Sequence, residues 1–163
     1  MKNFLLIFGV VFVVSCKIEP KPAPVPVITP KDVKLEEIVI DNTGIVIKYG
    51  FIEGWCSGTD SMIIAGNDVW YVDGAVCGKN VSAKYLDISP IGKELLLQLF
   101  DQTAFDKLEL NSCFVCVDGT DCWISVQNGS YFHKIRYAYG DSVHIATIRP
   151  FVRELDMYRA IFR

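Results

Sequence analysis

The chain contains six cysteines, and two of them, Cys113 and Cys116, stand at the C-x-x-C spacing that serves thiol–disulfide exchange or zinc binding. Exchange chemistry wants such a pair at a helix N-terminus, where the thiolate is stabilised. Here Phe114, Val115 and Val117 are strand-forming residues, so the segment is expected to be a strand. Three steps of about 3.3 Å along a strand separate the two Cα atoms by roughly 10 Å, beyond the 7 Å or so that a disulfide spans. The expected links are instead Cys116 to Cys122, across the turn at Asp118–Asp121, and Cys56 to Cys77, across an early hairpin. That leaves Cys113 buried and free. Tetrahedral zinc wants four thiolate or imidazole ligands, and no second C-x-x-C or H-x-x-x-H pair is present. His133 or His144 would join a zinc site only through tertiary folding, so no metal and no other cofactor is expected.

Other chemistries have less to stand on. Cys56-Ser57 lies in a Gly-rich bend, but no G-x-S-x-G elbow or papain-type cysteine signature accompanies it. Asp118-Gly119-Thr120-Asp121 lacks the twelve-residue calcium pattern that ends in Glu, and reads first as a turn. Glu94 and Asp101 read as a solvated helix face rather than a glycosidase pair, and there is no Gly-rich phosphate loop. An enzyme is therefore not expected. The aromatic residues Trp55, Trp70, Tyr71, Trp123 and Phe132 carry the remaining signal. Trp123 and Phe132 fall on the less apolar face of a hairpin, where they would anchor a protein, peptide or glycan partner or be covered by N-terminal strands.

The elements that must position these residues are short. Ile38–Ile40 and Ile45–Tyr49 read as strands around the turn Asp41-Asn42-Thr43-Gly44, and Ser61–Ala65 and Val69–Val72 as a hairpin around Gly66-Asn67-Asp68. Ser82–Leu86 is a further strand. Cys122–Gln127 and Ser130–Tyr137 flank Asn128-Gly129, the dipeptide favoured in a two-residue turn. With Gln127 opposite Ser130, one face collects Cys122, Ile124, Val126, Tyr131, Ile135 and Tyr137, with His133 as the polar exception. The other face collects Trp123, Ser125, Gln127, Ser130, Phe132, Lys134 and Arg136.

Ser89-Pro90 and Pro150 open two amphipathic helices. The first has its stripe at Ile91, Leu95, Leu96, Leu99 and Phe100. The second has Phe151, Val152, Leu155, Tyr158 and Phe162 on one side, with Arg149, Arg153, Glu154, Asp156 and Arg159 mostly on the other. The simplest burial of both stripes is an α+β domain in two layers, an antiparallel sheet of hairpins with the two helices packed on one face.

Composition agrees with a small globular domain: 51% of residues are apolar and 12% aromatic. A net charge of −3 lacks the clustered basic footprint of a nucleic-acid binder, so no nucleic-acid partner is expected.

The N-terminus reads as an address. Lys2 precedes an apolar run from Phe4 to Val14, followed by Ser15 and Cys16. The run is far short of the 20 or so residues that cross a bilayer. Val13-Val14-Ser15-Cys16 resembles the lipobox of bacterial lipoproteins, which implies cleavage before Cys16 and lipidation of its sulfur. The resemblance implies a signal peptide over 1–15, a lipid-anchored tether over 16–31 and a domain over 32–163. Pro20, Pro22, Pro24, Pro26 and Pro30 favour an extended tether. Lys17 after the cysteine, where Asp would mark inner-membrane retention, points to the outer membrane. The chain also resembles small lipoproteins of Bacteroidota without assigned activity. That resemblance rests on the lipobox, Gly54-Trp55-Cys56-Ser57-Gly58, Ile88-Ser89-Pro90, and the run Cys113-Phe114-Val115-Cys116-Val117-Asp118-Gly119-Thr120-Asp121. It implies a bacterial envelope location, periplasmic or surface-facing, with the membrane as partner through the anchor and an envelope protein, peptide or glycan as a second partner.

Overall fold

Period-two alternation of apolar residues builds much of the chain into strands. The computed structural model describes residues 28–54, 58–74 and 81–163. Its strands in chain order are β1 (Lys31–Val33), β2 (Ile45–Glu53), β3 (Gly58–Ala65), β4 (Asp68–Gly74), β5 (Ser82–Asp87), β6 (Thr120–Asn128) and β7 (Tyr131–Ala138). All pair antiparallel in one sheet of order β1-β5-β4-β3-β2-β6-β7. Three helices complete an α+β fold: α1 (Pro90–Leu99), α2 (Gln102–Asp106) and α3 (Arg149–Phe162).

The core gathers alternate residues of one sheet face. Ile47, Tyr49 and Phe51 of β2, Met62 and Ile64 of β3, and Ile124 and Val126 of β6 cluster with Leu96, Phe105, Phe151, Leu155 and Phe162 from the helices. On the other face Val46, Ala65 and Trp70 form a smaller cluster, against which Ile38, Ile40, Ile63 and Tyr85 pack. The strand expected at Ile38–Ile40 is therefore absent. A 3₁₀ turn at Leu35–Glu37 precedes an irregular segment there, and the two isoleucines gain burial by lying on a sheet face rather than by pairing.

The β6–β7 hairpin forms with a different register. Asn128 pairs with Tyr131, so Gly129 and Ser130 make the loop, and Gly129 takes φ 57°, which a glycine adopts without strain. Partners consequently shift by two: Ile124 faces Ile135, and Cys122 faces Tyr137. An even shift preserves faces, so Cys122, Ile124, Val126, Ile135 and Tyr137 are buried as the alternation requires.

α1 starts as the sequence indicates, with the Ser89 hydroxyl accepting from the Gly92 N–H at 3.1 Å and Pro90 in the first turn. Its buried face is rotated from the expected stripe. Leu96 is fully buried and Leu97 and Phe100 pack on the core, while Ile91, Leu95 and Leu99 are exposed by 71%, 53% and 39%. Gly92 explains the rotation: a Cβ there would lie 2.8 Å from the Tyr158 hydroxyl of α3, so this glycine is the point of close helix contact. In α3 Phe151, Val152, Leu155 and Phe162 are buried as expected and Tyr158 is half-buried, but Arg159, read as a surface residue, is buried among them. Its guanidinium meets the Asp60 carboxylate, which explains its place on the inner face.

Gly50 sits where two neighbours leave no room for a side chain. A Cβ there would come within 2.5 Å of the Asp60 carbonyl oxygen and 2.7 Å of the Trp123 ring. Gly50→Ala is expected to destabilise the fold by about 1–3 kcal/mol, the usual cost of overpacking. It should also displace Trp123, read as a change in urea midpoint together with a shift in tryptophan emission.

Candidate functional site

The C-x-x-C segment is a turn. Phe114–Val117 forms a 3₁₀ helix, and Cys113 and Cys116 are disulfide-bonded with their Cα atoms 5.3 Å apart. The expected strand, the free Cys113 and the Cys116–Cys122 link are all overturned. The physical reason is Asp121, the second residue of β6, which the sequence pattern reads as part of a turn. It is fully buried and gathers the segment around itself. Its Oδ1 accepts from the Ser112 hydroxyl at 2.9 Å and the Phe114 N–H at 3.0 Å, and its Oδ2 from the Val115 N–H at 3.1 Å. Arg136 of β7 adds two donors to Oδ2, Nη2 at 2.6 Å and Nε at 3.1 Å. Satisfying a buried carboxylate outweighs the strand preference of Phe114, Val115 and Val117.

The turn closes through Asp118 at φ 65° and Gly119, where a Cβ would overlap the Phe114 ring. The turn expected over Asp118–Asp121 is thus confined to Asp118 and Gly119, with Thr120 and Asp121 already in β6. Both bonded cysteines are exposed, and the Arg136 Nη2 lies 3.9 Å from the Cys113 sulfur. The same guanidinium is already paired with Asp121, and Asp121 also takes the Phe114 and Val115 N–H groups. A Cys113 thiolate would find these donors engaged.

Cys122 is free and buried in the core, and burial pushes its thiol up to about 12. Cys16, Cys56, Cys77, Trp55 and Ser57 lie outside the described residues, as do the segments expected to be a signal peptide and most of a tether, so the expected Cys56–Cys77 link does too. Among the described residues no group of three or more His, Cys, Asp or Glu could hold a metal ion. His133 lies against the Phe105 ring with Nε2 3.0 Å from the Leu108 carbonyl, a structural role. His144 pairs with Asp141 at an exposed loop, and Asp101 caps α2 by accepting from the Ala104 N–H.

Trp123 and Phe132 share the sheet face away from the helical cluster, as the alternation predicts. Trp123 is half-buried over Gly50, with the Lys134 ammonium 4.9 Å from its ring centroid. Phe132, two residues before Lys134 on β7, is 63% exposed. Neither aromatic belongs to the cluster that Ile38 and Ile40 cover, so among the described residues the expected N-terminal cover lies over β2–β5. No protein-family model matches the chain, and a search of curated proteins finds no relative.

Two measurements follow. Burial raises the Asp121 carboxyl, but the Val115 N–H, Arg136, Ser112 and the Phe114 N–H together hold it below the ordinary carboxylate range. A lowered folded pKa means that its stabilisation is complete above the unfolded value of about 3.9 and is lost as pH falls through the folded one. The Phe114 and Val115 amides should therefore lose exchange protection together on acidification, and Asp121→Asn should cost on the order of 2 kcal/mol at neutral pH. Second, peptide mapping after iodoacetamide treatment of the folded protein should find Cys122 unmodified. Rapid native labelling would contradict its burial.

Proposed function

We propose that the chain is a lipid-anchored envelope lipoprotein, related in kind to the small lipoproteins of Bacteroidota, whose domain is a non-enzymatic binding module. In this reading Cys16 carries the anchor and residues 16–31 hold the domain off the membrane, no further than the extended chain allows. No helix among the described residues is long and apolar enough to cross a membrane. The helices form one layer against the sheet, and the opposite face is left to a partner on its β6–β7 side.

The observation that carries this reading is the uncovered aromatic face. Phe132 projects from an edge strand with 63% exposure, on the same sheet face as Trp123, which packs over Gly50 with Lys134 at its ring; Phe132 pairs with Gln127 and Trp123 with Arg136, so the two aromatics stand four residues apart along that face. Rigid aromatics next to polar groups make good anchors for protein, peptide or glycan, because they bury large area at little entropy cost. A photo-reactive residue at position 132 should give one discrete adduct in cells, lost on Trp123→Ala, while the same residue at exposed Val143 gives none. Equal, diffuse labelling at both positions would sink the binding face. For the anchor, Cys16→Ser should move the chain from the membrane to the soluble fraction and abolish fatty-acid labelling.

A second reading, thiol–disulfide exchange at Cys113–Cys116, has one observation in its favour, the exposure of both sulfurs beside Arg136. It requires fast reduction of the folded protein and alkylation of Cys113 near pH 6. Thiols that react only near the ordinary pKa of about 8.5 would leave the disulfide a staple of the turn.

A further inference from the structure

We propose a small-molecule site, separate from the aromatic face, in the cleft between α3 and the β6–β7 end of the sheet, and assign it to compact organic carboxylates. The cleft holds about 380 Å³, within the range of small-ligand sites. Its floor comes from neighbouring strands: Tyr49, Cys122 and Tyr137, each no more than 3% exposed. Cys122 points opposite to its neighbour Trp123, so the cleft and the aromatic face lie on different sides of the sheet. Ile145 and Val152 line it with apolar surface.

The polar groups of the cleft differ in what they have left to offer. The Tyr49 hydroxyl donates to Asp156 at 2.6 Å, and Asp141 accepts from the His144 N–H at 3.0 Å and faces its ring, so both carboxylates are engaged. The Arg149 guanidinium donates to the Ser142 carbonyl. Besides the exposed Tyr139 and Ser142 hydroxyls, two groups stand open. The Tyr137 hydroxyl is buried beside the Tyr49 hydroxyl and the Cys122 thiol with neither in good hydrogen-bond geometry, an arrangement that costs about 1–3 kcal/mol until a better partner satisfies it. Arg153, exposed at the rim, has no ion-pair or hydrogen-bond partner among the described residues. α3 brings Arg149, Val152, Arg153 and Asp156 to one side at helical spacing, which puts cations at the mouth of an apolar cleft.

The complementary molecule has an apolar body the size of one ring, a carboxylate for Arg153 with Arg149 beside it, and a polar atom at the far end for Tyr137. A neutral ligand of the same shape would forgo the ion pair with Arg153, and a cation there would meet it as a like charge; because Asp141 and Asp156 line the same cleft, the preference for a carboxylate belongs to the Arg149–Arg153 side of the mouth. The same logic makes Tyr137 informative. Removing its hydroxyl should leave the unliganded protein about as stable, because no well-formed hydrogen bond is lost, yet weaken a ligand that reaches it.

The test uses the full-length chain in detergent, titrated with 4-hydroxyphenylacetate, its neutral amide and the amine tyramine, with amide chemical shifts as the readout. The carboxylate is expected to shift residues around Val152 and Tyr137 and to bind at least about tenfold tighter than the amide or the amine. Arg153→Gln should remove most of that preference without changing Tm. Tyr137→Phe should weaken binding about threefold or more while Tm holds. Equal binding of the three probes, no binding at about 5 mM, or a Tyr137→Phe variant that binds as well as the parent would overturn the assignment. In the last case a water on the Tyr137 hydroxyl is the simpler account.

Discussion

A single buried carboxylate joins the sheet to the C-terminal helix. Asp60 of β3 accepts from the Arg159 Nε at 3.0 Å and 3.1 Å, from the Arg163 guanidinium at 2.8 Å and from the Tyr71 hydroxyl at 2.9 Å. The Arg159 guanidinium also lies 3.5 Å over the Phe51 ring. Asp60 is 7% exposed and Arg159 8%, so each would be a costly buried charge without the other. Their geometry admits one placement of α3, with Phe151, Leu155 and Phe162 against the strands. Apolar contacts alone tolerate sliding; a forked guanidinium on a carboxylate does not. The cleft beside α3 and the cover over the inner sheet face both depend on that placement.

A second buried carboxylate organises the other end. Asp121 converts a stretch with strand propensity into a tight turn, brings Cys113 to Cys116 and ties the turn to β7 through Arg136. With five donors already holding Asp121, the disulfide is one constraint among several on the turn. Both carboxylates act in the same way: desolvation makes them demanding, and the chain arranges its donors to meet the demand.

Much of this architecture is readable in the sequence where periodicity is strong. The alternation in β2, β3, β4, β5, β6 and β7, the Ser89-Pro90 start of α1 and the Pro150 start of α3 each rest on local chemistry, and each forms. The even register shift in the β6–β7 hairpin left the face assignment intact because parity, not partner identity, decides burial. Misreadings occur where a distant partner decides. Gly92 rotates α1 because Tyr158 lies against it, and Arg159 turns inward because Asp60 waits there. The traces were present: Asp60 stands two residues before Met62 on the inward phase of its strand, and Arg159 falls four residues after Leu155 on the apolar stripe. A charge in phase with a hydrophobic pattern marks a buried pair only once both members are seen together. The cleft lay beyond local reading for the same reason, since it joins residues from Tyr49 to Asp156.

The direct test of the clasp is a double-mutant cycle on the folded chain, with Asp60→Asn, Arg159→Met and their combination compared by urea unfolding. The buried pair predicts that each single change costs about 3–5 kcal/mol and that the double variant is less destabilised than the sum by at least about 2 kcal/mol. Additive effects, with a coupling below about 0.5 kcal/mol, would mean that α3 is held by its apolar face alone.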